Sequence, residues 1–273
     1  MPRFAANCSM LFTEAPSLER FARARAAGFA AVECWWPAGV DLDAFAAAIE
    51  DAGVRLVLLN LDGGDMAAGD RGFLTDPGAE GRIRANLEAA IALAVRLGRP
   101  LLHALAGNLQ PDEPREDQLA LVYERLRWMA PLAAEAGITL TLEAMNRKDA
   151  PRYPFQCTPD ILAALDAVGA PNLRYQYDVY HLQRMEGNLV ETLTANIGRI
   201  AHVQVADVPE RNQPGTGEIN YRRVLATLDD LGYDGYVALE YRPRGSTEES
   251  LAWLPPDRSG WIGADQLRVT SDE

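Results

Sequence analysis

Four oxygen-bearing side chains stand out because each one ends a short apolar run in the second half of the chain. They are Glu143, Asp178, Gln204 and Glu240. Any single acid in such a place could cap a loop or face solvent, but four in register on adjacent strands would converge at one rim. Three clustered carboxylates raise one another's pKa unless a cation intervenes. An all-oxygen set without cysteine suits Mg²⁺ or Mn²⁺, so the spacing predicts a divalent-metal site.

Two further residues near these strand ends could contact a substrate. His181 follows Asp178 by three residues and could hydrogen-bond a substrate oxygen or cap the local turn. Arg211 lies on the loop after the seventh expected strand and is either a solvated charge or the cation that an anionic substrate would need beside a metal. His202 lies within a strand and is interpreted as a hydrogen-bonded barrel residue, whereas the role of His103 stays open.

The elements that carry these residues alternate regularly along the chain. The expected strands are Phe4–Met10, Ala31–Trp35, Arg55–Asn60, Pro100–Ala104, Thr139–Ala144, Arg174–Asp178, Ala201–Val205 and Tyr236–Glu240. Helical segments separate them, which implies a parallel sheet with right-handed crossovers. Eight such units of about 34 residues account for the length as a single α/β (β/α)8 TIM barrel. A doubly wound open sheet is the alternative that alternation alone allows.

Several local signals refine this organisation. The barrel is expected to span residues 1–254, followed by a tail at 255–273 that could dock through Trp261. Pro131 is expected to kink a long helix or to split it into two. The glycine-rich loop Gly64–Gly72 after the third strand could act as a lid, and it lacks the residues of a nucleotide-binding loop. The Trp35–Trp36 pair could shield the rim from solvent or simply pack.

Charge and cysteine content exclude several classes of partner. The 273 residues carry a formal net charge of −13, which opposes binding to nucleic acid or to an anionic membrane surface. Three scattered cysteines fit a reducing compartment. The first residues lack the apolar core of a signal peptide, and no stretch approaches the length of a membrane span. We therefore expect a cytoplasmic protein.

Longer motifs then carry a resemblance to a known family. The chain resembles the hydroxypyruvate isomerase family, within the xylose-isomerase-like barrels of sugar isomerases and epimerases. The similar segments run from "FAANCSMLF" through "GDMAAGDRG" to "YRPRGSTEESLAWL", and so cover everything but the tail. The most specific ones are "YDVYHLQRMEGNL" and "HVQVADVPERNQPGTGEINY".

The resemblance implies roles for the residues singled out above. Glu143 and Glu240 match the family's acid/base pair, and Asp178 and Gln204 would complete a metal site with them. His181 and, less closely in spacing, Arg211 match residues that touch substrate oxygens in related epimerases. The implied reaction interconverts hydroxypyruvate and 2-hydroxy-3-oxopropanoate (tartronate semialdehyde) through an enediolate at a Mg²⁺ or Mn²⁺ site. The expected partner is a small anionic keto acid or sugar-like substrate, and the chain could form a homo-oligomer.

Other functions remain open at this stage. The segment "AMNRKDAPRYPF" after Glu143 departs from the hydroxypyruvate branch, so a 2-oxo-tetronate isomerase or a ketose 3-epimerase using the same site is the alternative. The epimerases carry His where this chain has Gln204. A metal-dependent endonuclease is possible on the same fold but is opposed by the negative charge. A sugar-binding or structural barrel without catalysis is the remaining class.

Overall fold

Eight parallel strands close into a barrel in the computed structural model, which describes residues 2–254. The strands are β1 Arg3–Asn7, β2 Ala31–Cys34, β3 Arg55–Asn60, β4 Leu101–His103, β5 Leu140–Glu143, β6 Leu173–Asp178, β7 Ile200–Val205 and β8 Tyr236–Leu239. Each strand pairs with the next, and β8 pairs with β1 to close the ring. The predicted (β/α)8 TIM barrel is confirmed, and the open doubly wound sheet is wrong.

Helices surround the barrel and separate its strands, as the alternation predicts. They are α1 Arg20–Ala26, α2 Leu42–Ala52, α3 Glu80–Arg96, α4 Arg115–Glu135, α5 Thr158–Val168, α6 Val179–Met185, α7 Leu189–Asn196, α8 Tyr221–Asp230 and α9 Thr247–Ser250. Pro131 lies inside α4, so the helix is one continuous element and the split at this residue is wrong. The short helix α6, which begins directly after Asp178, was not predicted.

Small side chains on the inner face of the barrel lie beneath the rim. Ala5 and Ala238 are fully buried and belong to one small apolar cluster with Ala31 and Val57. Because side chains two residues apart on a strand point the same way, Ala5 lies below Asn7 and Ala238 lies below residue 240. These short side chains form a layer directly below the larger polar side chains at the strand ends.

The first strand is shorter than predicted, and a side chain explains the difference. The Oδ1 atom of Asn7 accepts hydrogen bonds from the main-chain nitrogens of Ser9 at 2.9 Å and Met10 at 3.2 Å. This Asn-centred turn competes with strand pairing. It therefore ends β1 at Asn7, although the following residues are partly apolar.

The loop after β3 is packed against the end of β4. Gly72 has φ of +95°, and a Cβ atom there would lie 2.1 Å from the carbonyl oxygen of Leu105. Its N–H donates to the carbonyl of Gly63, and it forms a bridge with Ala106. Only glycine fits this close approach. The role of the loop as a lid stays a prediction.

Two further predictions concern the C-terminal tail and membrane-spanning segments. The tail 255–273, including Trp261, lies outside the described residues, so its boundary and docking stay predictions. Within residues 2–254, the helices are too short or too polar for any of them to cross a bilayer.

Replacing Pro131 by alanine should stabilise the barrel. Pro131 is exposed and cannot donate the helix hydrogen bond to the carbonyl four residues earlier. We expect Pro131→Ala to raise the free energy of unfolding by about 1–3 kcal/mol, measured by chemical denaturation. Pro159→Ala is the control, because Pro159 lies in the first turn of α5, where proline fits. An unchanged or lower stability of Pro131→Ala would contradict this prediction.

Candidate active site

A cavity of about 290 Å³ opens at the carboxyl ends of the strands. Its walls include Trp35, Asn60, Glu143, His181, Arg211 and Glu240. This is the end of a TIM barrel at which functional residues collect. The cavity has room for a small ligand of a few carbon atoms.

The four predicted oxygen ligands lie at this end of the barrel on adjacent strands. We call them the oxygen quartet: Glu143 ends β5, Asp178 ends β6, Gln204 lies in β7 opposite Asp178, and Glu240 directly follows β8. None of these side chains is more than 6% exposed. The structure thus places them where the strand spacing put them, while their roles as ligands and acid/base groups stay predictions.

Glu143 is the least compensated carboxylate of the site. It is buried, and its Oε1 atom has no hydrogen-bond partner among the described residues. Burial raises its pKa well above the usual range, and the charges of Asp178 and Glu240 raise it further. A buried carboxylate oxygen without a donor is costly unless a cation or a proton binds there.

Asp178 is held by the helix that follows it. Its Oδ1 atom accepts from the main-chain N–H groups of Tyr180 at 2.8 Å and His181 at 3.4 Å, and so caps α6. Its Oδ2 atom accepts a long hydrogen bond of 3.5 Å from Arg211 Nη2 and lies 3.6 Å from His181 Nε2. Burial raises the pKa of Asp178, while the charge of Arg211 opposes the rise.

Glu240 is surrounded by hydrogen-bond donors from three parts of the chain. Its Oε1 atom accepts from Asn7 Nδ2 and Trp35 Nε1, both at 3.1 Å, and its Oε2 atom accepts from Arg211. Burial nevertheless raises the pKa of Glu240 to about 7, with Arg211 opposing the rise and the charges of nearby acids adding to it. Such a group exchanges protons readily near neutral pH.

His181 presents an N–H to the carboxylates. Burial and the charges of Arg211 and Arg71 hold the pKa of His181 well below its usual value, so the ring is neutral. The main-chain N–H of Asn146 donates to His181 Nδ1 at 3.0 Å, so the proton of the ring lies on Nε2. That atom lies 3.8 Å from Glu143 and 3.6 Å from Asp178. The arrangement favours hydrogen bonding to a substrate oxygen over metal ligation.

Arg211 is partly buried, with 14% of its side chain exposed, and reaches the site from the loop after β7. Its guanidinium contacts the carboxylates of Asp178 and Glu240, and their charges, together with that of Glu143, raise its pKa. The loop is held by Asp207, whose carboxylate accepts main-chain N–H groups of Val208, Gly215, Gly217 and Ile219. Arg211 itself adopts φ of +62°, a strained conformation that this loop stabilises.

Glu33 is a functional candidate that sequence reasoning missed. It is 0% exposed at the end of β2 and accepts hydrogen bonds from Gln204 Nε2 at 2.8 Å and Asn7 Nδ2 at 2.8 Å. His202 Nε2 lies 2.5 Å from its other oxygen, which agrees with the interpretation of His202 as a hydrogen-bonded barrel residue. Because the amide N–H of Gln204 is committed to Glu33, the amide oxygen, which also accepts from Gln176 at 2.8 Å, is the end left for a ligand.

The polar residues at the other strand ends form the rest of the site. Asn7 ends β1, Asn60 ends β3 and His103 ends β4. His103 Nε2 lies 3.7 Å from Glu143 Oε2, and burial together with the charge of His202 lowers the pKa of His103 to about 3. Of these three, Asn60 ends a predicted strand and could have been found by the reasoning that identified the oxygen quartet, whereas the predicted first and fourth strands run past Asn7 and His103.

The residues present fit a divalent cation. Ligand atoms of Glu143, Asp178 and His181 all lie within 4.8 Å of one another. The partnerless Glu143 Oε1, the Oδ2 atom of Asp178 and the fixed amide oxygen of Gln204 are hard oxygen ligands of the kind that Mg²⁺ and Mn²⁺ take. Acidic oxygens in excess of nearby cationic groups are the electrostatic condition for such binding.

The chain matches a known family and named isomerases over most of its length. Residues 21–256 match the model of the xylose isomerase-like TIM barrel family. The chain is 40% identical over 256 residues to a 2-oxo-tetronate isomerase of Cupriavidus necator, covering 94% of this chain and 98% of that protein. It is 39% identical over 258 residues to the hydroxypyruvate isomerase of Escherichia coli, covering 94% and 100%.

A solved structure shows the same architecture at similar identity. The crystal structure described as an AP endonuclease of family 2 from Brucella melitensis superimposes with a TM-score of 0.88 and 38% identity. The match covers 93% of this chain and 98% of that one. The barrel and its connections are therefore common to both proteins.

Substitution of Glu33 should weaken metal binding without unfolding the barrel. In Glu33→Gln an NH2 group replaces one acceptor oxygen, so the side chain loses its negative charge and can no longer accept from both Gln204 and an Nε2–H of His202. We expect affinity for Mn²⁺ to fall by roughly 10- to 100-fold, as for other residues that orient metal ligands, measured by calorimetric titration.

Glu186→Gln is the matched control for this prediction. Glu186 accepts from the main-chain nitrogen of Thr158 at 3.0 Å on the outside of the barrel, so its loss should change stability alone. Equal Mn²⁺ affinity in folded Glu33→Gln and in the unchanged protein would contradict the role given to Glu33.

Proposed function

The chain belongs to the xylose isomerase-like TIM barrel family, and we propose that it is an isomerase that interconverts hydroxypyruvate and 2-hydroxy-3-oxopropanoate. The observation that carries the proposal is a pair of buried carboxylates in a cavity of about 290 Å³. They are Glu143 and Glu240, the first and last members of the oxygen quartet. Their raised pKa values suit carboxylates that must take and return protons.

The reaction moves a carbonyl group between neighbouring carbons. Hydroxypyruvate carries a hydroxymethyl group next to its ketone, and loss of a carbon-bound proton gives an enediolate. Return of a proton to the adjacent carbon, together with transfer of the hydroxyl proton from the terminal oxygen to the former ketone oxygen, gives the aldehyde. The oxygen quartet would hold Mg²⁺ or Mn²⁺, which when bound supplies the positive charge that makes the carbon-bound proton acidic.

The carboxylates of Glu143 and Glu240 come from β5 and β8 and would transfer the proton. With Oε1 assigned to the cation, Glu143 keeps Oε2, which lies 3.7 Å from His103 Nε2 and has no closer donor among the described residues, so Glu143 is assigned proton removal. Glu240 is held by Asn7, Trp35 and Arg211 and is assigned proton return. Both residues act in either direction, because the reaction is reversible.

His181 and Arg211 would fix the substrate oxygens. The Nε2–H of His181 faces the space between Glu143 and Asp178 and can donate to an oxygen that gains negative charge. Arg211 offsets the charges of Asp178 and Glu240, which keeps Glu240 within the range of proton exchange.

A second candidate is isomerisation of a 2-oxo-tetronate by the same residues. The similarity to the Cupriavidus necator protein of that name favours it, and the proton transfers are the same on a chain one carbon longer. Incubation with both keto acids and analysis of the products distinguishes them. An endonuclease is disfavoured, because a chain of net charge −13 repels the phosphates of DNA.

Replacement of either acid/base residue should remove turnover. We expect Glu143→Gln and Glu240→Gln to lower kcat by about 100- to 10,000-fold, as for loss of a general acid or base, with an unchanged circular dichroism spectrum. Glu210→Gln is the control, because it removes the same charge from an exposed position beside Arg211. Near-normal turnover, or normal deuterium uptake from solvent into the substrate, in Glu240→Gln would refute its assignment.

Removal of divalent metal should also abolish activity. Protein stripped with a chelator is expected to remain folded, to lose turnover of hydroxypyruvate, and to regain it on addition of Mn²⁺ or Mg²⁺. Calcium, which is larger and more weakly polarising, serves as the comparison ion. Full activity after complete stripping would show that the oxygen quartet acts through protons alone.

A further inference from the structure

Three arginines line the cavity, and they differ in what neutralises them. Arg71 lies on the loop after β3, Arg211 after β7 and Arg242 after β8. Arg211 is paired with two carboxylates, so much of its charge is already neutralised within the protein. Arg242 is exposed, and solvent screens its charge, so Arg71 is left as the candidate for binding an anionic group of a ligand.

Arg71 is held by neutral oxygens. Its Nη1 atom donates to the carbonyls of Met66 at 3.1 Å and Asp70 at 2.6 Å, and its Nη2 atom donates to the carbonyl of Asp149 at 3.4 Å. Among residues 2–254, no carboxylate lies within ion-pair distance of Arg71. Carbonyl oxygens fix the guanidinium without cancelling its charge, so that charge remains for a ligand.

The main chain around Arg71 is fixed as well. The carbonyl of Arg71 accepts from the N–H of Gly107 at 2.8 Å, and the next residue, Gly72, packs directly on Leu105. Because hydrogen bonds hold both its guanidinium and its main chain, Arg71 loses little conformational freedom when a ligand binds. This is the arrangement expected of a binding group and not of a solvated surface charge.

The charge of Arg71 acts on the inner part of the site. After burial and Arg211, Arg71 is the next cause of the lowered pKa of His181. Arg71 also opposes the rise in the pKa of Tyr153. Its guanidinium thus stands within electrostatic reach of the imidazole that faces Glu143 and Asp178.

We propose that Arg71 binds the carboxylate of the substrate and so makes the enzyme select keto acids over uncharged ketoses of the same length. The inference rests on the proposed function and extends it to substrate selection. A guanidinium matches a carboxylate in shape and charge. Arg71 lies on the side of the cavity formed by the β3 loop, opposite the loops that carry Arg211 and Arg242.

Arg242 supplies the matched control. It lines the same cavity but is exposed, and its main-chain N–H donates to the carbonyl of Arg211. Arg242→Met removes the same charge at a position without the main-chain carbonyl acceptors that hold the guanidinium of Arg71.

The test compares an anionic substrate with its neutral counterpart. Dihydroxyacetone carries a hydroxymethyl group where hydroxypyruvate carries its carboxylate. We expect Arg71→Met to lower kcat/KM for hydroxypyruvate by roughly 10- to 100-fold, the effect of a lost charge-assisted hydrogen bond, and to leave that for dihydroxyacetone unchanged. Arg71→Lys should keep part of the preference, and Arg242→Met should keep all of it.

Inhibition by glycerate gives the same comparison without depending on turnover of a neutral ketose. Glycerate carries the carboxylate but not the reacting carbonyl, and its inhibition constant should rise in Arg71→Met by the same factor. An equal loss on both substrates, or an equal effect of Arg242→Met, would overturn the inference while leaving the proposed function standing. Absence of hydroxypyruvate turnover in the unchanged protein would instead refute the proposed function.

Discussion

Compensation of buried negative charge is the constraint on which the site depends. Four carboxylates, those of Glu33, Glu143, Asp178 and Glu240, lie at one end of the barrel with at most 6% exposure. Burying so many like charges is unfavourable unless cations or donors accompany them. These carboxylates are stabilised by Arg211, by the side-chain amides of Asn7 and Gln204, and by the main-chain N–H groups at the start of α6. The negative charge that remains uncompensated lies mainly on Glu143, so a bound cation would stabilise the site most strongly there.

The same constraint explains how the loops are built. A partly buried arginine can offset two carboxylates only if its loop holds it there, and Asp207 does this by accepting main-chain N–H groups along the loop. Likewise, the loop after β3 uses Gly72 to lie against β4. Hydrogen bonds to Asp207 and close backbone packing at Gly72 thus fix the loops that surround the polar cavity.

Much of this could be predicted from sequence because alternation and strand-end acids are local signals. The eight strands and the positions of Glu143, Asp178, Gln204 and Glu240 followed from short apolar runs and their spacing. Contacts across the seam of the barrel could not be predicted in the same way. Asn7 and Trp35 bond to Glu240 more than 200 residues away, and only ring closure brings them together. Glu33 was missed because a short buried strand such as "AVEC" does not show which of its side chains point inward.

One feature of the rim has a consequence for folding. Each of the eight strands contributes a polar side chain to a single ring, and the contact between Asn7 of β1 and Glu240 after β8 forms only when the first and last strands meet. A chain with seven strands assembled would hold most of these groups yet lack the donor set around Glu240. The site is therefore a property of the closed ring and not of any subset of strands, so its appearance during refolding would report the final step of assembly.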